Sequence, residues 1–516
     1  MKKSIFDYIW AFSKGQQIAV LILTAISFPF LYLSLELPKR IINNAIGGKN
    51  FPMEIAGFQF EQIQFLFVLC ALLLTLILVN GAFKMFINVF KGLIAERLLR
   101  RLRYQLYERI LRFPMSRFQR TSQGELVSMA TAEVESIGEF FGDAIALPAF
   151  QGGTMVTILV FMFVQDPVFG LASVALIPIQ GWLIPKLQRQ INALNKERVK
   201  EVRQLSGHIS ETVSGIQDVH THDTSAFNRA KFSFRLGEIF KIRLAIFKKK
   251  FFMKFLNNFI GQLTPLMFYS FGGMLVIKGD ITLGALVAAL AAYKDLTAPW
   301  RELLKYYQGM ANARVKYEQV VEQFESTDLI SERLQQERPA EIPSFNNPVY
   351  IKSLTVIDDD GERSLSGISL DVKPGSRIAF VASGKSRDEL AYTLIRLLRP
   401  TAGSVCVGNL NIESMPESMI GARIGYVGPD SYIFSGSAAD NVLFGLKHAA
   451  PAEVDRSPAR QEAYDEALAS GNSVEDIDAD WIDYQTAGFA NPDELKTWWL
   501  KVIQALEIEG DCMHGG

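Results

Sequence analysis

Apolar positions crowd into runs before about residue 300, and the stretches between the runs differ sharply in charge. A bilayer core about 30 Å thick takes about 20 helical residues at about 1.5 Å each. Residues 18–35, 65–79 with a continuation past Gly81, 146–164 and 168–184 are long and apolar enough to be read as spans. Residues 255–277 are interrupted by Asn257, Asn258 and Gln262, and residues 281–293 stop at Lys294 and Asp295, so hydropathy gives a fifth and a sixth span more weakly. After Val349 the pattern becomes that of an ordinary α/β domain in water. Two physical environments are therefore predicted along one chain.

Arg97, Arg100, Arg101, Arg103, Arg109, Arg112, Arg117 and Arg120 follow the second span. Lys196, Arg198, Lys200, Arg203, Lys248, Lys249 and Lys250 follow the fourth, whereas Gln165, Asp166 and Pro167, between the third and fourth, carry no basic residue. Lysine and arginine accumulate on the cytoplasmic side of a membrane, so the alternation predicts an integral membrane protein of six spans with both termini in the cytoplasm. A soluble helical bundle would leave the alternation unexplained. Residues 84–113 and 187–219 hold few glycine or proline breakers, which predicts helices running on past the membrane. Their basic residues read as a solvated face near anionic lipid. Met1, Lys2 and Lys3 resemble the start of a signal peptide, but the apolar run from Ile18 is too long for one, so it reads as a retained span.

Over 516 residues, 53 Lys plus Arg face 54 Asp plus Glu, so no basic surplus points to a nucleic-acid partner. Cys70, Cys406 and Cys512 are far apart and match no disulfide framework or zinc spacing, and Cys512 with His514 makes no metal site. His220 and His222 stand two apart, on different faces of a helix, and read as surface residues.

The run Leu106-Tyr107-Glu108-Arg109-Ile110-Leu111-Arg112-Phe113-Pro114, followed by Phe118 and Ser122-Gln123-Gly124-Glu125-Leu126, resembles exporter-type ATP-binding-cassette (ABC) transporters. The resemblance extends to residues 128–137, with Met129 and Glu133 where the family usually has Arg and Asp, and to 210–219 with Phe227 and Phe232. It extends also to Thr282-Leu283-Gly284-Ala285-Leu286-Val287 with Pro299, which strengthens the sixth span. It implies an α-helical membrane domain of six long transmembrane helices with cytoplasmic extensions, followed by a partial α/β P-loop-type cassette domain. The expected boundaries are 1–325 for the six-helix domain, 326–348 for a linker marked by Pro339, Pro343 and Pro348, and 349–516 for the cassette. The resemblance further implies a bacterial inner membrane, coupling helices that transmit cassette closure, and ATP with Mg²⁺. The implied partners are membrane lipid and a second transporter half, the same chain or a homologue with a competent cassette, acting on a transported substrate that the sequence does not identify.

A working phosphate loop wraps the β-phosphate in backbone N–H groups, sets a Lys against the β/γ charge and places a Ser or Thr hydroxyl on Mg²⁺. Residues 368–381 lead, as in the family, toward such a loop. The string Gly384-Lys385-Ser386 is present, but Ala379 stands where the first glycine belongs. Aligned on the helix of residues 390–400, the loop is one residue short, with Arg387 at the lysine place and Asp388 and Glu389 at the hydroxyl places. Gly384, Lys385, Ser386 and Arg387 are thus the nucleotide-contacting candidates of a degenerate loop; no catalytic residue and no metal ligand is assigned. Asp358 falls where the family stacks an aromatic ring on adenine, and Pro429 where it has the Gln of the Q-loop.

Residues 450–516 are acidic, read as solvated helices and loops, and hold no LSGGQ-like signature, Walker B pair or switch His, so the cassette is expected to stop inside its helical subdomain. The function expected is a component of an ATP-driven ABC exporter, working as a homo- or heterodimer with an impaired nucleotide site in this chain. The alternative is a non-transporting membrane scaffold or regulatory pseudo-transporter. Asn80, Lys84, Asn257, Asn258, Gln262, Lys294 and Asp295 are expected either to line a pathway or to hydrogen-bond between helices. Phe83, Phe86, Phe259, Phe268 and Phe271 are expected to line a cavity or to face lipid and core.

Overall fold

The computed structural model describes every residue except 1, 49–50, 56–57, 122, 176, 326–327, 340, 358–362, 383–384, 429–431, 449–456, 486 and 508–516. Ser122, Asp358, Gly384, Pro429, Cys512 and His514 lie outside the described residues. Among the described residues the apolar runs fall in the long helices Ile5–Arg40, Gln62–Ile110, Val134–Gln165, Ile177–Ser214, Ser225–Met267 and Leu283–Phe324, with part of the fourth run in the short helix Pro167–Ala175. Among the described residues, five helical stretches are long and apolar enough to cross a membrane: Ile5–Ile46, Gln62–Ile110, Leu126–Gln165, Gly170–Ser214 and Ser225–Lys278. The sixth helix is apolar as far as Tyr293 and then turns charged at Lys294 and Asp295.

The residues group into two compact units, one of Met1–Phe12, Ile94–Phe141 and Asn312–Gly516, the other of Ser13–Leu93 and Gly142–Ala311. The first helix changes unit where Ser13 leaves helical geometry, at φ −134° and ψ 16°.

In the second unit, a short hairpin pairs β1 (Met53–Ile55) with β2 (Phe58–Phe60). The main core joins Leu35, Ile158, Phe161, Met162 and Phe268 to Ala288, Ala289 and Ala292 of the sixth helix. Small residues let helix backbones approach closely where lipid provides no hydrophobic drive for association. Phe67, Leu78 and Ile277 stay exposed, and apolar surface on this scale marks contact with a membrane. Prolines inside the helices remove an N–H and free the carbonyl four residues earlier. Pro148 frees Ala144 O, which accepts from the Tyr306 hydroxyl at 2.6 Å. Pro265 frees Gly261 O, which accepts from the Tyr293 hydroxyl at 3.3 Å. Two tyrosines of the sixth helix thus close gaps that prolines open in the third and fifth.

In the first unit, β3 (Val349–Ile357), β4 (Arg363–Val372), β5 (Ala402–Val407) and β6 (Leu410–Asn411) form one antiparallel sheet in the order β4-β3-β5-β6. A register shift near Ser353, whose φ is 45°, changes the phase of β3, so that Ile351, Leu354 and Val356 all reach the core with Leu365, Leu390, Val405 and Ile420. The run 377–381, expected to lead into a phosphate loop, lies outside any strand with Val381 98% exposed, and Val427 of the equally apolar 424–427 is 94% exposed. Strand hydrogen bonds need a neighbour, and no described segment supplies one here. The described carboxy-terminal region is therefore a small antiparallel sheet with helices, without parallel pairing among the described residues.

The basic end of the second helix and the residues just after it are committed to protein, not left as a solvated face. Arg97 bridges Glu466 through two bonds of 2.7 Å, and Arg101 donates to Ser470 O at 2.9 Å and lies 4.3 Å over the Phe12 ring. Arg109 donates to Phe324 O at 3.2 Å, Arg112 to Ile330 O at 2.9 Å, and Arg117 to Gln323 O. The acidic helix Pro458–Ser470, expected in solvent, is held here through Glu466 and Ser470.

Candidate functional site

A cavity of about 380 Å³ lies within the second unit. The fifth helix places Asn257, Asn258, Gly261 and Gln262 on it, and the sixth places Tyr293, Leu296, Thr297, Trp300 and Arg301, positions three and four apart that share a helix face. Met155 of the third helix, with Ser173 and Gln180, completes the lining.

The polar lining falls into two classes. Its hydroxyls are engaged: Ser173 Oγ donates to Gly170 O at 2.6 Å, Thr297 Oγ1 to Lys294 O at 2.9 Å, and the Tyr293 hydroxyl to Gly261 O. The side chains of Gln180, Asn257, Asn258, Gln262 and Arg301 make no hydrogen bond or ion pair among the described residues, and Trp300 Nε1 is buried without a partner. Among the described residues no carboxylate lines the cavity, and Glu302, beside Arg301 in sequence, is held by Lys305 at 2.9 Å. Asn258, Gln262 and Arg301 are exposed, whereas Trp300 Nε1 is withdrawn from solvent, where a polar group costs free energy until something satisfies it. Open amides beside Met155 and Leu296 suit a molecule that is partly polar and partly apolar.

Of the pathway candidates read from sequence, Asn257, Asn258 and Gln262 meet here, while Lys84, Lys294 and Asp295 do not line the cavity. Asn80 instead donates to Phe30 O at 3.4 Å and Ser34 Oγ at 3.3 Å, a bond between helices. None of the five phenylalanine candidates lines it either: Phe83 packs on Phe30 and Phe268 on Tyr293, and Phe86, Phe259 and Phe271 are exposed. Sequence reasoning missed Gln180, Trp300 and Arg301. The available signal was an indole and a guanidinium directly after Pro299, about two turns beyond the last apolar residue of the span.

At the degenerate loop, Gly384 is outside the described residues, and Lys385 directly precedes the helix Ser386–Leu394. Arg387 Nε donates to Asp388 Oδ1 at 3.2 Å, Asp388 and Glu389 occupy the first turn, and Glu389 Oε2 is buried without a partner.

Residues 17–298, more than half of the chain, match the family model described as the ABC transporter transmembrane region. An uncharacterized ABC transporter ATP-binding protein of Bacillus subtilis is 23% identical, the alignment covering 90% of this chain and 75% of the relative. A fatty acid ABC transporter ATP-binding/permease protein of Mycobacterium bovis is 23% identical over 70% of this chain and 57% of its own length. An ATP-dependent lipid A-core flippase of Syntrophus aciditrophicus is 23% identical over 75% of this chain and 64% of its own length. The chain therefore spans from just over half to three quarters of the length of these relatives. With more than half of its length inside the family model, the chain belongs to the ABC transporter transmembrane-region family.

Proposed function

We propose that this chain is a component of an ATP-driven exporter in a bacterial inner membrane. Residues 1–325 form its six-helix membrane domain with both termini in the cytoplasm, 326–348 a linker, and 349–516 a cassette portion with an impaired nucleotide site. The observation that carries the reading is the cavity lined by the open amides of Gln180, Asn257, Asn258 and Gln262 inside the matched region, with Trp300 and Arg301 just beyond it, since polar groups left open among membrane helices mark a pathway. Asn258 and Gln262, exposed and unbonded, support pairing with a second half, the same chain or a homologue with a competent cassette. Two relatives are named for fatty acid transport and lipid A-core flipping, which supports a lipid-like cargo.

The ATP-binding names of the relatives support ATP with Mg²⁺ as the energy source of the assembly. At this chain's own loop the described residues fit a triphosphate poorly: Asp388 takes the Arg387 guanidinium, and two carboxylates stand at the helix end where phosphate would dock. Phosphoryl transfer depends on positioning and electrostatic stabilisation, so the chain alone is expected not to hydrolyse ATP at a meaningful rate.

The test is reconstitution into lipid vesicles, alone and with a homologous half bearing a complete cassette, followed by uptake of a fluorescent fatty acid and by ATPase assay. ATP-dependent uptake only with the partner is expected. Failure of uptake with every partner tried defeats the exporter reading in favour of a scaffold. Hydrolysis by the unmodified chain that Lys385→Ala abolishes would make Gly384-Lys385-Ser386 a working site.

A further inference from the structure

The second helix runs unbroken from Gln62 to Ile110, so whatever holds its basic end holds one continuous rod. Arg97, Arg100 and Arg101 stand three and four apart on one face of it, and that face meets the end of the helix Pro458–Ser470. Each arginine takes a different group there. Arg97 forks onto the Glu466 carboxylate, and Arg101 donates to Ser470 O, a last-turn carbonyl with no partner inside its own helix. Oriented so that both its ends are satisfied, the Asn472 amide accepts from Arg100 Nε at 3.2 Å and donates to Ser470 O at 3.2 Å. Gly471 ends the helix in left-handed geometry, at φ 65°, and a Cβ at this position would overlap the Arg101 guanidinium. Arg101 also lies over the ring of Phe12, the residue before the break at Ser13, so one guanidinium ties the first helix to the carboxy-terminal segment.

This contact is held mainly by charge. Leu468, the one leucine of the helix, is 62% exposed, and the residues buried at its end are the small Ala467 and Ser470. The Arg97 and Glu466 side chains keep 25% and 35% exposure, so dissolved ions reach the pair and weaken it, as they do not weaken apolar packing.

We propose that residues 458–473 are a releasable strap. Docked, the strap stiffens the basic end of the second helix and slows the helix movements of the working exporter; rising ionic strength releases it. The effect on transport rests on the exporter reading above, whereas docking and release do not.

Hydrogen exchange of the full chain in zwitterionic nanodiscs reads the docking. Sodium chloride is expected to quicken exchange both in Pro458–Ser470 and in residues 94–104 of the second helix by about twofold to fivefold, the range set by an exposed ion pair. Arg97→Gln and Gly471→Ala are expected to do the same at low salt, and the charge exchange Arg97→Glu with Glu466→Arg to restore part of the protection that either single change removes. The response of residues 94–104 separates a strap from simple fraying of the segment. In the vesicle assay with a partner half, Arg97→Gln is expected to raise ATP-dependent uptake by a similar factor and the exchanged pair to bring it back. Exchange indifferent to salt, or quickening confined to Pro458–Ser470, overturns the strap. Uptake unchanged or lowered in variants whose exchange has quickened overturns its restraint on transport. Absence of uptake in every form sinks the exporter reading alone, since salt-dependent exchange in both helices upholds the strap without it.

Discussion

The arginines at and just beyond the end of the second helix and the arginine of the cavity are the same residue type, yet they are used in opposite ways. Arg97, Arg101, Arg109, Arg112 and Arg117 each hold a carboxylate or a backbone carbonyl, whereas Arg301 holds nothing among the described residues. Cationic side chains that cap carbonyls contribute to the fold, and their removal leaves an acceptor unsatisfied. One left open beside an open indole and open amides contributes little to the fold and is available to a ligand.

The largest expected effect lies on the committed side. Arg117 donates to Gln323 O, lies 4.4 Å over the Phe113 ring and has a side chain only 16% exposed. Arg117→Ala is expected to destabilise the chain by about 2–3 kcal/mol, read as a fall in the detergent unfolding temperature. A neutral outcome would break the contrast at once.

An intermediate effect is expected from the hydroxyls that serve proline-freed carbonyls. Tyr306→Phe should cost about 1 kcal/mol in the natural background, and much less once Pro148→Ala restores an N–H to Ala144 O. A double-mutant cycle without coupling would show that the tyrosine acts only through packing.

A smaller effect is expected at Glu466, whose carboxyl is held below its ordinary range by the hydrogen bonds from Arg97. A carboxyl with a lowered folded pKa stabilises the fold fully above the ordinary glutamate range of about 4.3 and loses that contribution as pH falls through the lowered value. The two side chains are 25% and 35% exposed, so the contribution stays under about 1 kcal/mol. Hydrogen exchange in Pro458–Ser470 should quicken below that range, and Glu466→Gln should exchange fast at all pH; identical profiles for the two proteins would reduce the bridge to a surface contact.

The smallest effect is expected where a function is assigned. Arg301→Gln should move the unfolding temperature by nothing measurable while changing ligand binding, which is the sharpest form of the contrast. A loss of stability comparable to that of Arg117→Ala would place Arg301 among the structural arginines.

The membrane helices were legible because an apolar run of fixed length has one physical use, and the runs at 18–35, 65–79, 146–164 and 255–277, with 168–184 from Gly170 on, lie inside helical stretches long and apolar enough to span. The sixth was harder, since its buried Ala288, Ala289 and Ala292 give close packing without a long hydrophobic stretch. Asn257, Asn258 and Gln262 stood out because amides are costly in such a run, but the same reasoning picked Asn80, whose partners lie one helix away and have no trace in local pattern. The arginine pairs were illegible for the same reason: Arg97 and Glu466 are 369 positions apart, and charge patterning registers only the side of the membrane. At 377–381 the apolar pattern promised more order than the fold delivers, because a strand's pattern is local and its hydrogen bonds are not.

The tyrosine that reaches Gly261 O has a consequence for how the helices around the cavity can part. Because Pro265 has no N–H, that carbonyl has no claim within its own helix, so letting go of Tyr293 leaves the backbone ladder of the fifth helix unchanged. Among the described residues the side-chain hydrogen bond between the two helices at this level is made by a single hydroxyl, which a water molecule or a passing polar group can replace. The contact is closed like a press-stud, not stitched, and its opening is a local exchange of partners with no unwinding of either helix.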